Sequence, residues 1–251
     1  MTSMNNSAGN TVRLLWAGLR ALLVLTIVCG VIYPLAVTGV AQGLFPGRAN
    51  GSEITANGKV VGSELIGQRY DLPLKKGQEN QAPDLRWFQP RPSDGLGTNS
   101  VNTQYKLLLS GATNRSGDNK DLIDWVTGAK AAVVKDNSVP GHPVSPADVP
   151  ADAVTSSGSG LDPDISPAYA QLQVRRVAER NHLGVDQVEK LVKQHTDGRI
   201  LGFVGEPRVN VLELNIALKE LVNGGASAIA RPSASCTYCR PTGTDHAWGS
   251  A

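Results

Sequence analysis

A serine, a histidine and a carboxylate are the smallest set for nucleophilic hydrolysis, and the chain offers one candidate set. Ser159 in Ser156–Pro167 (SSGSGLDPDISP) would be the nucleophile, His195 the base and Asp162 its orienter. Such a nucleophile sits on a G-x-S-x-G elbow between a strand and a helix. That elbow does not occur, and Ser157, Gly158, Ser159 and Gly160 read as a loop with unusual backbone angles before a capped helix. Asp162 and Asp164 leave most of a calcium shell of roughly six to eight oxygens unfilled. Cys236-Thr-Tyr-Cys239 with His246 has the opening spacing of a zinc site without a fourth ligand, so a local disulfide or a disordered tail is the expectation there. Backbone amides of the loop Leu109, Ser110, Gly111, Ala112 and Thr113 could cradle an anion such as a nucleotide phosphate. No G-x-x-x-x-G-K-[ST] occurs, so the chain is not expected to hydrolyse ATP unaided. Arg199, Glu206 and Arg208 are charged residues around a glycine-rich turn, where paired charges more often hold a turn than catalyse. No catalytic and no metal-ligating residue is assigned.

These residues are preceded by a membrane-type segment. From Ala21 to Phe45 no residue is charged, and as a helix the stretch spans roughly 37 Å, more than a hydrocarbon core of about 30 Å. Pro34 is tolerable there, and Gly18, Gly30, Gly39 and Gly43 let a neighbouring helix approach. Arg13 and Arg20 precede the run and no acidic residue occurs before Glu53, which favours a cytoplasmic N-terminus and a domain outside. The expected organisation is a cytoplasmic segment 1–13, a transmembrane helix 14–45, an extracytoplasmic domain 46–223 and a disordered tail 224–251. A cleaved signal peptide, cut after Gly39 or Ala41, is the competing reading.

The chain has 251 residues and a net charge of +2 with no basic run, so nucleic acid is not an expected partner. The stretch from about Gly51 to Asn223 has no cysteine and must rely on an apolar core. Lys59–Ile66 reads as a strand with Gly62 as a possible bulge, Arg86–Phe88 as a short extended piece, and Leu201–Val204 as a short strand. Leu107–Leu109 is an apolar island in a polar stretch. Helices are expected over Asp121–Val134, from Ser166 as N-cap, over Val185–His195, and over Val211–Val222 with Asn210 as cap. In the second helix Ala170, Val174, Val177 and Ala178 form the buried stripe, and Arg175, Arg176, Glu179 and Arg180 point elsewhere. The fold class is therefore α+β: one N-terminal transmembrane helix, then a single domain of short strands and about four helices.

Several ordered segments together resemble the C subunit of the Kdp-type potassium-transporting P-type ATPase. They are Tyr33-Pro34-Leu35, Gly62-Ser63-Glu64-Leu65-Ile66-Gly67-Gln68, Trp87-Phe88 with Arg91-Pro92-Ser93, Thr155–Pro167, Gln173–Ala178 including Arg175, His195-Thr196, and Leu201–Asn215 including Gly205, Glu206, Arg208 and Asn210. The likeness covers about residues 14 to 222.

That resemblance implies an accessory subunit in a cell-membrane complex. Its partners would be a potassium-conducting membrane subunit, a P-type catalytic subunit that hydrolyses ATP, and the lipid bilayer. Potassium would be carried by the complex, not by this chain alone. The resemblance also implies a catalytic chaperone that raises the ATP affinity of the catalytic subunit, with nucleotide touched at Ser110–Asn114. The second glycine expected in that segment is Ala112 here. Gly62–Gln68 and Gly202–Asn210 are the loops expected at an interface.

Overall fold

The computed structural model describes residues 7–56, 58–74, 81–93, 110–111 and 115–224. Leu107–Leu109, Ala112, Thr113 and Asn114, and the tail with Cys236, Cys239 and His246 lie outside the described residues.

The chain opens with a long helix: α1 (Ser7–Ile27), a π-helical turn (Val28–Ile32) and α2 (Tyr33–Leu44). Pro34 has no N–H for the carbonyl of Gly30, and the ladder widens just there, with Tyr33 N–H reaching back to Val28 O. Gly9–Leu44 is long and apolar enough to cross a membrane. Its apolar side chains, Leu14, Leu22, Val31 and Leu35 among them, are exposed, which suits lipid or a neighbouring helix. Pro46 then starts a single turn, α3 (Pro46–Ala49).

β1 (Glu53–Ala56) and β2 (Lys59–Ser63) form an antiparallel pair in which Ile54 faces Gly62 and Thr55 faces Val60. Val61 is thus the extra residue, so the irregularity expected at Gly62 lies beside it. α4 (Lys120–Asn137) is capped by the Asn119 side chain, which accepts from Leu122 N. Then come β3 (Asp164–Ile165), α5 (Pro167–Asn181), α6 (Val185–Gln194), β4 (Thr196–Asp197), β5 (Arg208–Asn210) and α7 (Val211–Val222). β5 lies between β3 and β4 and runs antiparallel to both.

The helices start and stop where their capping chemistry sits. Ser166 Oγ accepts from Tyr169 N at 3.0 Å, and Asp152 holds Ser166 in turn, accepting from its N at 2.7 Å and its Oγ at 2.9 Å. His182 ends α5 in the left-handed region (φ 57), and Leu183 N–H closes back on Ala178 O. The main core joins α5, α6 and α7: Val174, Val177, Val188, Leu214 and Leu218 are fully buried there, with Tyr70 and Phe88 closing one side. A smaller cluster, Val61, Leu212 and Ile216, seats the β1–β2 pair on α7.

Two extended pieces take another form. Arg86–Phe88 is part of a turn, because Asp84 draws the chain round: Arg86 N donates to its carboxylate and Trp87 N to its carbonyl. Leu201–Val204 is a tight loop, because Leu201 (φ 54) and Gly202 (φ 81) both lie in the left-handed region and reverse the chain. Arg176, expected to point away from the core, is buried.

Candidate functional site

Three of the quoted motif segments, far apart in sequence, meet beside the end of the long apolar helix. Gly62–Gln68 is the first. Ser63 Oγ donates to Gly51 O (2.6 Å) and accepts from Leu65 N (3.1 Å), while Glu64 N donates to Ser52 O (3.0 Å). These bonds fasten the end of β2 to the residues that leave the helix. Gln68 folds back so that its Nε2 donates to Val61 O at 2.8 Å. A Cβ on Gly62 would collide with the Gln68 amide and lie 2.8 Å from Leu212 Cδ2, so only glycine fits there without repacking.

Gly67 N donates to Leu161 O at 2.8 Å and so reaches the second segment, Thr155–Pro167. Arg91 organises that loop. Its Nη1 pairs with Asp162 Oδ2 at 3.0 Å, and its other nitrogens donate to the carbonyls of Thr155 (3.4 Å) and Ser156 (3.3 Å). Asp162 Oδ1 accepts from Asp164 N at 3.0 Å. Ser93 Oγ donates to Gly160 O. Gly160 needs its freedom twice: φ is +68, and a Cβ would stand 2.8 Å from Gly111 O. Ser157 and Ser159 use their hydroxyls locally, accepting from Asp162 N (3.4 Å) and Leu161 N (3.1 Å), and Gly158 is exposed beside them.

The third segment is β5. Asn210 Nδ2 donates to Glu64 O at 2.9 Å, while its Oδ1 caps α7 through Leu212 N and Glu213 N. Val211 N donates to Pro163 O at 3.0 Å. Arg208 pairs with Asp164 at 3.3 Å. Between these segments lies a pocket of about 250 Å³, bordered by Glu64, Asp162, Asp164, Asp197, Glu213 and Arg208. Burial pushes the Asp164 carboxyl up to about 6. Arg208 opposes that shift, and Asp162, Asp197 and Glu64 add to it.

The other motif residues stand apart from this junction. His195 ends α6 with its ring Nδ1 against Leu191 O (2.9 Å), and Thr196 Oγ1 donates to Val192 O (2.8 Å). Arg175 is exposed on α5, and Gly205 (φ 79) and Glu206 are exposed in the loop before β5. Ser159, His195 and Asp162 thus each have other partners, and no hydrogen bond among the described residues joins the three into a relay. In the nucleotide candidate, Gly111 N and Ser110 Oγ both donate to Ser159 O, at 3.0 and 3.2 Å, so these donors are already engaged.

A buried polar network escapes the sequence reading. Arg176, 2 % exposed, donates to Asn137 Oδ1 (2.8 Å), Gln173 Oε1 (2.6 Å), Trp87 O (3.0 Å) and Leu85 O. Burial lowers its pKa to about 10, so it stays charged at neutral pH. Gln173 exchanges two bonds with the backbone of Gln89, and Asn215 exchanges two with Phe88. Among the described residues the Trp87–Ser93 segment has no strand partner, and these amides take its place. The available signal was Gln173 and Arg176 three residues apart, next to the apolar stripe.

A family profile described as "KdpC: K+-transporting ATPase, c chain" matches residues 15–220. The chain belongs to this family. It is 78 % identical over 219 residues to the Potassium-transporting ATPase KdpC subunit of Streptomyces avermitilis, an alignment covering 87 % of this chain and 99 % of that protein. The protein of that name from Streptomyces coelicolor is 72 % identical over 223 residues, with 89 % and 99 % covered. The one from Kineococcus radiotolerans is 43 % identical over 216 residues, with 86 % and 98 % covered. The span matched to the KdpC family runs from within the apolar helix to the last turn of α7, so it contains every segment of the junction. The chain is thus a subunit of the potassium-transporting ATPase type, with one candidate membrane helix.

Proposed function

We propose that this chain is the accessory subunit that assembles and steadies a high-affinity, ATP-driven potassium uptake complex. Its helix packs against a potassium-conducting membrane subunit, and its domain braces that subunit together with the P-type catalytic subunit. The observation that carries this reading is the direct fastening of the helix exit into the motif junction, through Ser63 to Gly51, Glu64 to Ser52 and Asn210 to Glu64. A domain tied this way transmits the position of the helix to everything built on β5 and α7. The names of its relatives support the same assignment.

The charge bias at Arg13 and Arg20 favours a cytoplasmic N-terminus and an extracytoplasmic domain. Growth tests the function. Deleting the gene for this chain should abolish growth at very low external potassium and leave growth at high potassium normal. Normal growth in both media would reject the reading.

A role in raising ATP affinity is a separate, finer part of the proposal. It requires Ser110 and Gly111 to leave Ser159, and it requires that segment to meet nucleotide despite the bilayer. Photo-labelling of the intact complex with an ATP analogue tests it, and absence of label between Leu107 and Asn119 would remove it.

A further inference from the structure

Between β4 and β5 the chain leaves the small sheet as a loop pinched by mutual backbone bonds of Ile200 and Val204, 2.9 and 3.0 Å. Its tip is apolar and outward-facing: Ile200, Leu201, Phe203 and Val204 are 67, 82, 74 and 46 % exposed. No other stretch of five residues in the described part of the folded domain exposes four large apolar side chains. Leu201 is also held at φ +54, a region that leucine seldom occupies. Folding gains nothing from a leucine kept both strained and wet. Such an outlier on an apolar tip points to a contact made outside the chain.

We infer that this tip is an anchor that inserts into an apolar recess on a membrane-embedded subunit of the same complex, on the side where the domain stands. The inference rests on the accessory-subunit reading and specifies which surface makes the contact. Continuity supports it: the base of the loop is joined to the helix exit through Asn210, Glu64 and Ser52. The loop therefore belongs to the same fastened body as the helix exit, against which the accessory-subunit reading sets a membrane subunit. Chemistry supports it as well. Arg199 and Glu206 flank the apolar residues as a polar rim around an anchor. A lipid-inserting tip would instead carry a surplus of Lys and Arg. Here Arg199 and Arg208 are balanced by Asp197 and Glu206, with Glu64 and Asp164 beside Arg208, so the loop has no cationic surplus to draw it to anionic headgroups.

The test uses the full-length chain in its own membrane, with the photo-crosslinking residue p-benzoylphenylalanine at position 203. The expected adduct is with a membrane subunit that co-purifies with the wild-type chain. Phe203→Asp should reduce recovery of that subunit about tenfold while leaving the unfolding temperature of the chain unchanged. Adducts with lipid alone, no adduct, or an F203D chain that retains its partner as well as wild type would each overturn the inference. Because the wild-type chain still co-purifies with its partners in those outcomes, they leave the accessory-subunit reading intact. A wild-type chain that purifies alone overturns both.

Discussion

Arg176 brings a full charge into the core, and that core is built to receive it. Its guanidinium is matched by two carbonyls and two amide oxygens, where α5 meets the end of α4 and the turn at Leu85–Trp87. Truncation to alanine strips Asn137 Oδ1 and the carbonyls of Leu85 and Trp87 of this donor, while Gln173 Oε1 keeps Gln89 N, so Arg176→Ala should cost roughly 3 kcal/mol, read by chemical or thermal unfolding of the purified chain. Arg176→Lys should recover only part of the loss, because an ammonium lacks the planar fork. The sequence misleads at this residue for a physical reason. Sorting residues by polarity sends every charge to the solvent, and a paired, buried arginine has no local mark. Asp164 carries the second prediction at this scale. Its folded value of about 6 lies above the ordinary 3.8, so the folded chain binds an extra proton across that interval. Its contribution to stability therefore falls as pH rises from about 4 to about 6 and is flat above that window. Asp164→Asn should flatten that part of the stability–pH curve and gain on wild type as pH increases, as measured by unfolding temperature between pH 5 and 7.5.

At the scale of elements, the helices were legible and the strands largely were not. The Ser166-Pro167 cap and the 170, 174, 177, 178 spacing placed α5, and Asn210 placed α7, because capping and period are written in neighbouring residues. β3 and β4 have two residues each, and β5 has three. So short a strand shows no alternation and exists only because its partners arrive from elsewhere. The same holds for Trp87–Ser93, whose backbone is satisfied by the side chains of Gln173 and Asn215 from two helices. Asn210 serves both kinds of element, capping α7 and holding the Glu64 turn. Asn210→Ala should cost about 1–2 kcal/mol. Asn210→Asp, which keeps the cap acceptor but loses the donor to Glu64 O, should fall between the two in thermal unfolding.

For the whole molecule, the family was legible from ordered segments, but the reason for their order becomes visible only in three dimensions. Gly62–Gln68, Arg91–Ser93, Thr155–Pro167 and Arg208–Asn210 touch one another through Gly67 to Leu161, Arg91 to Asp162 and Asn210 to Glu64. Most of these residues hold backbone of another segment. The molecule is a long apolar helix, a candidate membrane span, with a domain fastened directly to its end, a form suited to bracing other proteins. Purification of the tagged full-length chain from carbonate-washed membranes in mild detergent tests that claim most directly. The account predicts a membrane-retained chain that brings two large membrane proteins with it, one of them labelled on an aspartate by ATP. A chain released by carbonate, or one that leaves the detergent column alone, would contradict it.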